Sequence, residues 1–262
     1  MIDLPLIASL SNPLVKQARS LRQRKARAET GLFLVEGLHH VGEAIESSWD
    51  VETVLYAPDL LTGDFSKQLL EQAVRLPLRL QPVSAQVMES LAEKDNPQGI
   101  LALVQQRKVG FEALSGLQRL AALVSPQDPG NVGAILRTMD AVGVDGLCLL
   151  DGGVDLYHPS LVRASMGALF WKPVVQASFP EFIKWVQPNS YQLIGASAHA
   201  KVDYRKLTPR IPWILLMGSE QKGLSRQQLS ACEGTVSLPM CGRVSSLNLA
   251  VATGILLYAF NA

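Results

Sequence analysis

Three short polar clusters contain the side chains of this sequence whose types and spacing could do chemistry. They occupy residues 127–137, 218–225 and 238–248. Each follows a segment that is predicted to be a buried strand, and the carboxyl ends of parallel strands meet at one edge of a sheet, where ligand crevices form. We therefore expect one site that is surrounded by the polar side chains of Asn131, Arg137, Glu220, Ser246 and Asn248.

The local pattern of the first and third clusters predicts helix starts. Pro129 and Gly130 are expected to form a turn, and Asn131 is expected to cap the helix that follows. In the third cluster two serines are expected to cap a helix over 246–260 that is apolar on nearly every side, so it should be buried all round, in a core or in a core plus a subunit interface. Each polar residue alone could be an ordinary cap or first-turn residue, but three such loops on one sheet favour a site.

The elements that must position these clusters form two alternating units, as a length of 262 residues allows. The first is predicted to contain strands over 32–35, 51–57, 78–83 and 100–105 and helices over 38–47, 66–75 and 84–91. The second is predicted to contain strands over 120–124, 146–150, 191–196, 213–217 and 234–238 and helices over 131–142, 160–168, 179–187, 225–231 and 246–260. Two of the latter strands are continuous apolar runs, which are typical of a parallel sheet covered by helices on both faces. We expect an α/β protein with domains over 1–105 and 118–262 and a linker over 106–117.

Several kinds of chemistry find no support in the sequence. It has no G-x-G-x-x-G dinucleotide turn, no G-K-[ST] ending to residues 218–223 and no G-x-S-x-G elbow. Its three cysteines lack C-x-x-C spacing, and His39 and His40 lack metal-ligand spacing, so we expect no metal site and a reducing compartment. No apolar run approaches the roughly 20 residues of a membrane span, and no signal peptide is evident. A cytoplasmic protein without a membrane partner is expected.

A net charge of +1 conceals a basic segment near the N-terminus. A single helix is expected to start at Asn12-Pro13 and to break near Gly31. Its basic residues are Lys16, Arg19, Arg22, Arg24, Lys25 and Arg27. Such a patch favours a polyanionic partner, although a solvated helix face would explain it equally well.

The three clusters, taken in order, resemble the three motifs of the SpoU/TrmH group of the SPOUT superfamily, which are RNA ribose 2′-O-methyltransferases. The matching strings are D-P-G-N-x-G-A-x-x-R at 128–137, G-S-E-x-x-G-L-S at 218–225 and L-P-M-x-G-x-V-x-S-L-N at 238–248, with a family-like spacer A-S-M-G-A-L-F at 164–170. The first unit resembles the smaller, ribosomal-protein-L30e-like substrate-binding domain of many members. This resemblance favours the basic segment as an RNA contact over a solvated helix face.

The resemblance implies a deep trefoil knot, an exception to the rule that chains do not thread loops, and a homodimer that helps to build the cofactor pocket. It also implies that S-adenosylmethionine is held by backbone groups of Gly218, Leu238, Met240 and Leu247. In similar proteins the arginine that matches Arg137 is often proposed to activate the 2′-hydroxyl, from either subunit and with help from the serine that matches Ser246. Because a guanidinium is a poor base, we favour a second role in which Arg137 holds the nucleotide and stabilises the developing alkoxide.

The expected reaction is methylation of a ribose 2′-hydroxyl, with ribosomal RNA as the favoured substrate and transfer RNA as the second. A non-catalytic RNA-binding or ribosome-assembly protein with the same fold is the alternative from another class. The complete set of Asn131, Arg137, Glu220, Ser246 and Asn248 argues for the enzyme. The sequence identifies neither the modified nucleotide nor whether its base matters.

Overall fold

The computed structural model of the protein describes residues 4–93 and 97–261. The chain divides into two compact units. Unit 1 comprises Met1–Arg107 and Asp155–Phe170, and unit 2 comprises Lys108–Val154 and Trp171–Ala262.

The elements alternate along the chain as the hydrophobic pattern predicts. The helices are α1 (Pro13–Ser20), α2 (Arg24–Thr30), α3 (Leu38–Glu46), α4 (Asp64–Val74), α5 (Ala85–Leu91), α6 (Pro129–Val142), α7 (Pro159–Ala164), α8 (Ala168–Trp171), α9 (Phe179–Val186), α10 (Arg226–Ser230) and α11 (Leu249–Phe260). The strands are β1 (Leu32–Glu36), β2 (Val51–Tyr56), β3 (Arg79–Pro82), β4 (Ile100–Gln105), β5 (Arg119–Val124), β6 (Gly146–Leu150), β7 (Val174–Ala177), β8 (Gln192–Ala196), β9 (Val202–Asp203), β10 (Trp213–Met217) and β11 (Gly234–Ser237).

Unit 1 is built on a mixed sheet with strand order β1-β4-β2-β3. Strand β4 is antiparallel to β1 and β2, whereas β2 and β3 are parallel. Helices α1 and α5 pack together over one face, where apolar side chains such as Val15, Leu21 and Met88 are buried. This packing fixes the basic segment on the surface of the unit, because α1 turns its apolar stripe inward.

The basic segment is two short helices, so the prediction of one continuous helix was wrong. Helix α1 ends at Ser20 and α2 begins at Arg24. The bend is stabilised from within, since the Arg27 guanidinium donates to the backbone oxygens of Leu21 (2.7 Å) and Arg22 (2.8 Å). These carbonyls would otherwise be orphan acceptors at a helix end. Helix α2 then ends at Thr30, and Gly31, with a φ of +70°, closes the turn into β1.

Residues Asp155–Phe170 lie between the strands of unit 2 in the sequence but pack within unit 1. The Phe33 ring contacts the ring of Tyr157, with centroids 4.6 Å apart, and the ring of Trp49 at 5.9 Å. The Asp155 carboxylate pairs with the buried Arg27 guanidinium at 2.5 Å. The segment is therefore held by both an aromatic cluster and a buried ion pair.

Unit 2 is built on a parallel sheet with strand order β7-β6-β5-β10-β8-β11-β9 within the described residues. The predicted buried parallel strands are confirmed, as every residue of β6 and β10 is buried. Strands β7 and β9 escaped prediction because neither contains a continuous apolar run: only Val174 and Val175 of β7 are buried, and β9 has only two residues. The order places the ends of β5, β10 and β11, which precede the three polar clusters, at one edge of the sheet.

Helices α6 and α11 pack against each other in unit 2. Helix α11 buries Thr253, Leu256 and Leu257, but the side chains of Val251 and Tyr258 are 51% and 59% exposed. All-round burial of this helix is therefore not found within one chain. One apolar face of the helix remains exposed in the single chain.

Candidate functional site

The loop after β10 folds back on itself, and this makes Gly218 indispensable. The amide of Gly223 donates to the Ser219 carbonyl at 2.9 Å, and these two residues form an isolated antiparallel bridge. A Cβ atom on Gly218 would lie 2.1 Å from the backbone carbon of Gly223. Because only glycine lacks that atom, only glycine lets the two backbone segments approach so closely. The loop thereby carries Glu220 outward at the sheet edge.

The starts of α6 and α11 differ from the predicted caps. Asp128, not Asn131, caps α6: its carboxylate accepts from the amides of Gly130 (2.6 Å) and Asn131 (3.2 Å). Asn248, not a serine, caps α11. Pro129 and Gly130 are already helical, because proline suits the first helical position. The Asn131 side chain is thus freed from capping and can reach other loops.

Three of the predicted residues form one hydrogen-bonded network. Asn131 Nδ2 donates to Glu220 Oε1 at 3.1 Å, and Asn248 Nδ2 donates to Asn131 Oδ1 at 2.9 Å. The other Glu220 oxygen accepts from the backbone amide of Gln127 at 3.1 Å. Asn248 Oδ1 is occupied by the amides of Ala250 and Val251, so its amide orientation, and in turn that of Asn131, is determined by the helix cap. The network ties the three polar loops together.

Arg137 and Ser246 stand outside this network. Arg137 lies on α6 with an exposed side chain that makes no hydrogen bond or ion pair within residues 4–93 and 97–261. Ser246 is exposed in the loop between β11 and α11. Of the five residues that were expected to surround one site, the single chain joins three and leaves these two able to meet a ligand or another chain.

A cavity of about 390 Å³ opens beside the network and is lined by all four residues that were predicted to hold a cofactor. Leu238, Met240 and Leu247 come from the loop before α11, and Gly218 from the loop after β10. Glu220 and Ser246 also line it. The size and the mainly apolar lining with a few polar groups are those of a small-molecule site.

Sequence reasoning missed a third loop that lines this cavity. Ser197 and His199, from the loop after β8, also line it. The signal was available, because β8 is one of the predicted parallel strands and its carboxyl end meets the same sheet edge. That stretch contains none of the motifs that marked the three polar clusters, so its residues were not predicted as part of the site.

The residues of the basic segment differ in their surroundings. Lys16, Arg24 and Lys25 are exposed, whereas Arg19 and Arg22 are half-buried and donate to Ser90 and to the Leu91 carbonyl. Arg27 is only 2% exposed, and its guanidinium is occupied by Asp155 and two backbone carbonyls. Arg27 is therefore unavailable to a partner, and it is excluded from the RNA-binding surface proposed below.

Within the part of the chain that the structure describes, no group of three or more His, Cys, Asp or Glu residues could hold a metal ion. The described residues also include no helix that is long and apolar enough to cross a membrane.

Fold and site together define an α/β protein that binds a small molecule at the carboxyl edge of a parallel sheet, next to polar groups held in fixed positions. Comparison with known proteins identifies the family within this class. The model of the SpoU rRNA methylase family matches residues 118–258, and that of the MRM3-like substrate binding domain matches residues 12–102. The chain belongs to the SpoU rRNA methylase family, as its motifs predicted, and the predicted N-terminal substrate-binding domain is confirmed.

Relatives match along almost the whole chain. A 23S rRNA (uridine(2479)-2′-O)-methyltransferase from Streptomyces viridochromogenes is 32% identical over 91% of this chain and 85% of its own length. The 23S rRNA (guanosine(2553)-2′-O)-methyltransferase RlmP of Bacillus subtilis is 29% identical over 96% and 97%. The crystal structure of an AdoMet-bound rRNA methyltransferase from Sinorhizobium meliloti superposes with a TM-score of 0.89 and 34% identity, covering 98% of this chain and 97% of that one.

Proposed function

We propose that this protein transfers a methyl group from S-adenosylmethionine to a ribose 2′-hydroxyl of ribosomal RNA in the cytoplasm. The observation that carries the proposal is the Asn131–Glu220–Asn248 network at the border of the cavity, because it places fixed polar groups beside a small-molecule site. Relatives named as 23S rRNA 2′-O-methyltransferases support ribosomal RNA over transfer RNA.

The cavity fits S-adenosylmethionine. Leu238, Met240 and Leu247 offer an apolar slot for the adenine ring, and the tight turn at Gly218 exposes backbone groups of the loop. When bound, this cofactor supplies a methyl group on a positively charged sulfur, which an oxygen nucleophile can accept. Ser246 lines the same cavity. Glu220 also lines it, so the network to which Glu220 belongs borders the place where transfer would occur.

The residues of the network position the ribose, and Arg137 stabilises the negative charge that develops on the ribose 2′-oxygen. As the 2′-oxygen takes the methyl group, the sulfur would leave as a neutral thioether and the hydroxyl proton would pass to solvent, so negative charge develops on the oxygen during the attack. A guanidinium stays protonated at neutral pH, and we assign to Arg137 the role of holding the nucleotide and stabilising that charge rather than of removing the proton. Ser246, which is exposed at the cavity, orients the ribose or the arginine.

A homodimer completes the site in this proposal. Val251, Ile255 and Tyr258 form the open apolar face of α11, and a second copy of the chain would cover it. Since α6 packs on α11, Arg137 belongs to the same helical layer and could act on the partner's cavity. The trefoil knot is part of this proposal, formed by the loop before α11. Light scattering should give a dimer mass for the wild type and a monomer mass for Tyr258→Glu.

Lys16, Arg24 and Lys25 are proposed to contact RNA phosphates, because they are the exposed cations of the basic segment. Such contacts position an RNA without reading its sequence, and they make binding depend on salt. Arg19 is half-buried and can only assist them.

The proposed function is tested by transfer of radiolabelled methyl groups into total RNA that lacks the modification, followed by nuclease mapping. Wild type should label a ribose 2′-oxygen of a large ribosomal RNA, and Arg137→Ala should not. Label in transfer RNA would overturn the substrate. Absence of both label and cofactor binding would favour the non-catalytic alternative.

A further inference from the structure

A second cavity, of about 200 Å³, lies entirely within unit 1 and has no part in the site described above. The side chains of Leu34 on β1 and Leu101 on β4 form one wall. Those of Val162 on α7 and Met166 form another. This volume is below the range of about 300–1,000 Å³ that holds drug-sized ligands. Its size and apolar walls suit a single planar ring system.

The second cavity is lined by both hydrogen-bond donors and hydrogen-bond acceptors. Arg22 brings donors: its Nη2 donates to the backbone carbonyls of Leu91 and Ala92, and its Nη1 makes no hydrogen bond within residues 4–93 and 97–261. A guanidinium nitrogen without an acceptor is available to a ligand atom that accepts. Glu36 brings a carboxylate; one oxygen accepts from the Glu93 amide, and the other makes no hydrogen bond within residues 4–93 and 97–261.

Two further residues, His40 and Gln98, add polar groups to the second cavity. His40 lines the cavity, and burial lowers the pKa of its imidazole below the ordinary value, so the ring is neutral at pH 7. Its Nε2 lies 3.1 Å from the carbonyl of Arg163, and the ring also interacts with the backbone of Glu36, so the imidazole is held in place by the protein. Gln98 also lines the cavity, and its carboxamide oxygen is held by the Leu38 amide.

We propose that the second cavity receives an unpaired guanine base of the substrate RNA. Guanine alone among the four bases presents two adjacent donors, N1–H and the 2-amino group, for a carboxylate such as that of Glu36. It also presents two acceptors, O6 and N7, for a guanidinium such as that of Arg22. Proteins read RNA sequence chiefly from bases splayed out of loops and bulges into pockets of this kind.

Arg22 also connects the cavity with the proposed phosphate contacts. It lies in the basic segment between Lys16 and Lys25, whose side chains are exposed to solvent. A strand held by these cations could insert one base into the cavity at its side. This inference rests on the proposed function only in that it takes RNA as the source of the guanine. A free guanine nucleotide would offer the same ring, and the test separates the two.

The test uses full-length protein with labelled Leu, Val and Met methyl groups, followed by nuclear magnetic resonance. Guanosine monophosphate should shift the methyl signals of Leu34, Val162 and Met166, and it should bind at least about fivefold more tightly than the monophosphates of adenosine, cytidine and uridine. S-adenosylmethionine should shift Met240 instead. This second titration reports the proposed function separately, so that either proposal can fail alone.

Glu36→Gln should abolish the preference for guanine while leaving S-adenosylmethionine affinity and the Met240 signal unchanged. The matched control is Glu29→Gln, because Glu29 is an exposed carboxylate that pairs with Lys25 and does not line the second cavity. Uridine oligoribonucleotides with one internal guanosine should bind more tightly than the mononucleotide and than those with one adenosine. Equal shifts by all four nucleotides, or a guanine preference that survives Glu36→Gln, would overturn the proposal. Binding of the mononucleotide without any gain for the oligonucleotide would overturn RNA as the source.

Discussion

The polar residues of the candidate site in unit 2 fall into two groups that differ in their partners. Asn131, Glu220 and Asn248 bind one another and the backbone, so their hydrogen-bonding capacity is used within the chain. Arg137 and Ser246 make no such bonds in the described residues. Groups whose partners are internal hold geometry, and groups without partners are available to a substrate. The difference predicts which substitutions reduce turnover and which change the shape of the site.

Replacement of Arg137 should have the largest effect on turnover. Arg137→Ala is expected to lower kcat by about 10²–10³-fold, as removal of one charge-stabilising donor does elsewhere, with little change in S-adenosylmethionine affinity. Single-turnover methylation and calorimetric cofactor binding measure the two quantities. Arg137→Lys should lose most of the activity too, because an ammonium lacks the fork of donors. Full activity of the lysine variant would contradict the proposed role.

Gly218→Ala tests the geometry that carries the network. The new Cβ would meet the Gly223 backbone at 2.1 Å, so the loop after β10 must move. We expect a loss of about 1–3 kcal/mol in the free energy of unfolding and weaker cofactor binding, measured by denaturant titration and calorimetry. Gly242→Ala is the matched control, since a Cβ there meets nothing within 4 Å. Equal behaviour of the two variants would show that the close approach is unimportant.

Substitutions of Asn248 separate its two roles, which are to cap α11 and to donate a hydrogen bond to Asn131. Asn248→Ala removes the α11 cap and the donor to Asn131, so it should cost about 0.5–2 kcal/mol of stability and also lower activity. Asn248→Asp keeps an acceptor for the cap but loses the donor. It should therefore retain most of the stability and lose activity nearly as the alanine variant does. If the aspartate variant were fully active, the link to Asn131 would have no positioning role.

Among the described residues, periodicity predicted every strand except β7 and β9, and most helices, because buried parallel strands appear as continuous apolar runs. The motifs also named residues that the fold brings together, as Asn131, Glu220 and Asn248 show. Caps were harder to predict: Asp128 and Asn131 are both good capping residues three positions apart, and only the backbone decides between them. The break in the basic segment depends on Arg27 meeting carbonyls and Asp155, a residue 128 positions away in the chain. Local sequence contains no signal for that contact.

The cations of unit 1 differ in a similar way, in how far each side chain is available to a substrate. Lys25 is exposed and Arg27 is buried against Asp155, although only two positions separate them. Lys25→Met should reduce the slope of log affinity against log salt for RNA by about 1 and leave stability nearly unchanged.

Arg27→Met should do the opposite. It leaves the Asp155 carboxylate without its partner, so unfolding should cost about 3–5 kcal/mol less, as for other broken buried pairs. The salt slope of the folded variant should equal that of the wild type. Filter binding at several salt concentrations and denaturant unfolding give both numbers for each variant. A reduced slope for Arg27→Met would mean that the guanidinium leaves Asp155 to bind RNA, and the partners seen in the single chain would then be a poor guide to which cations contact the substrate.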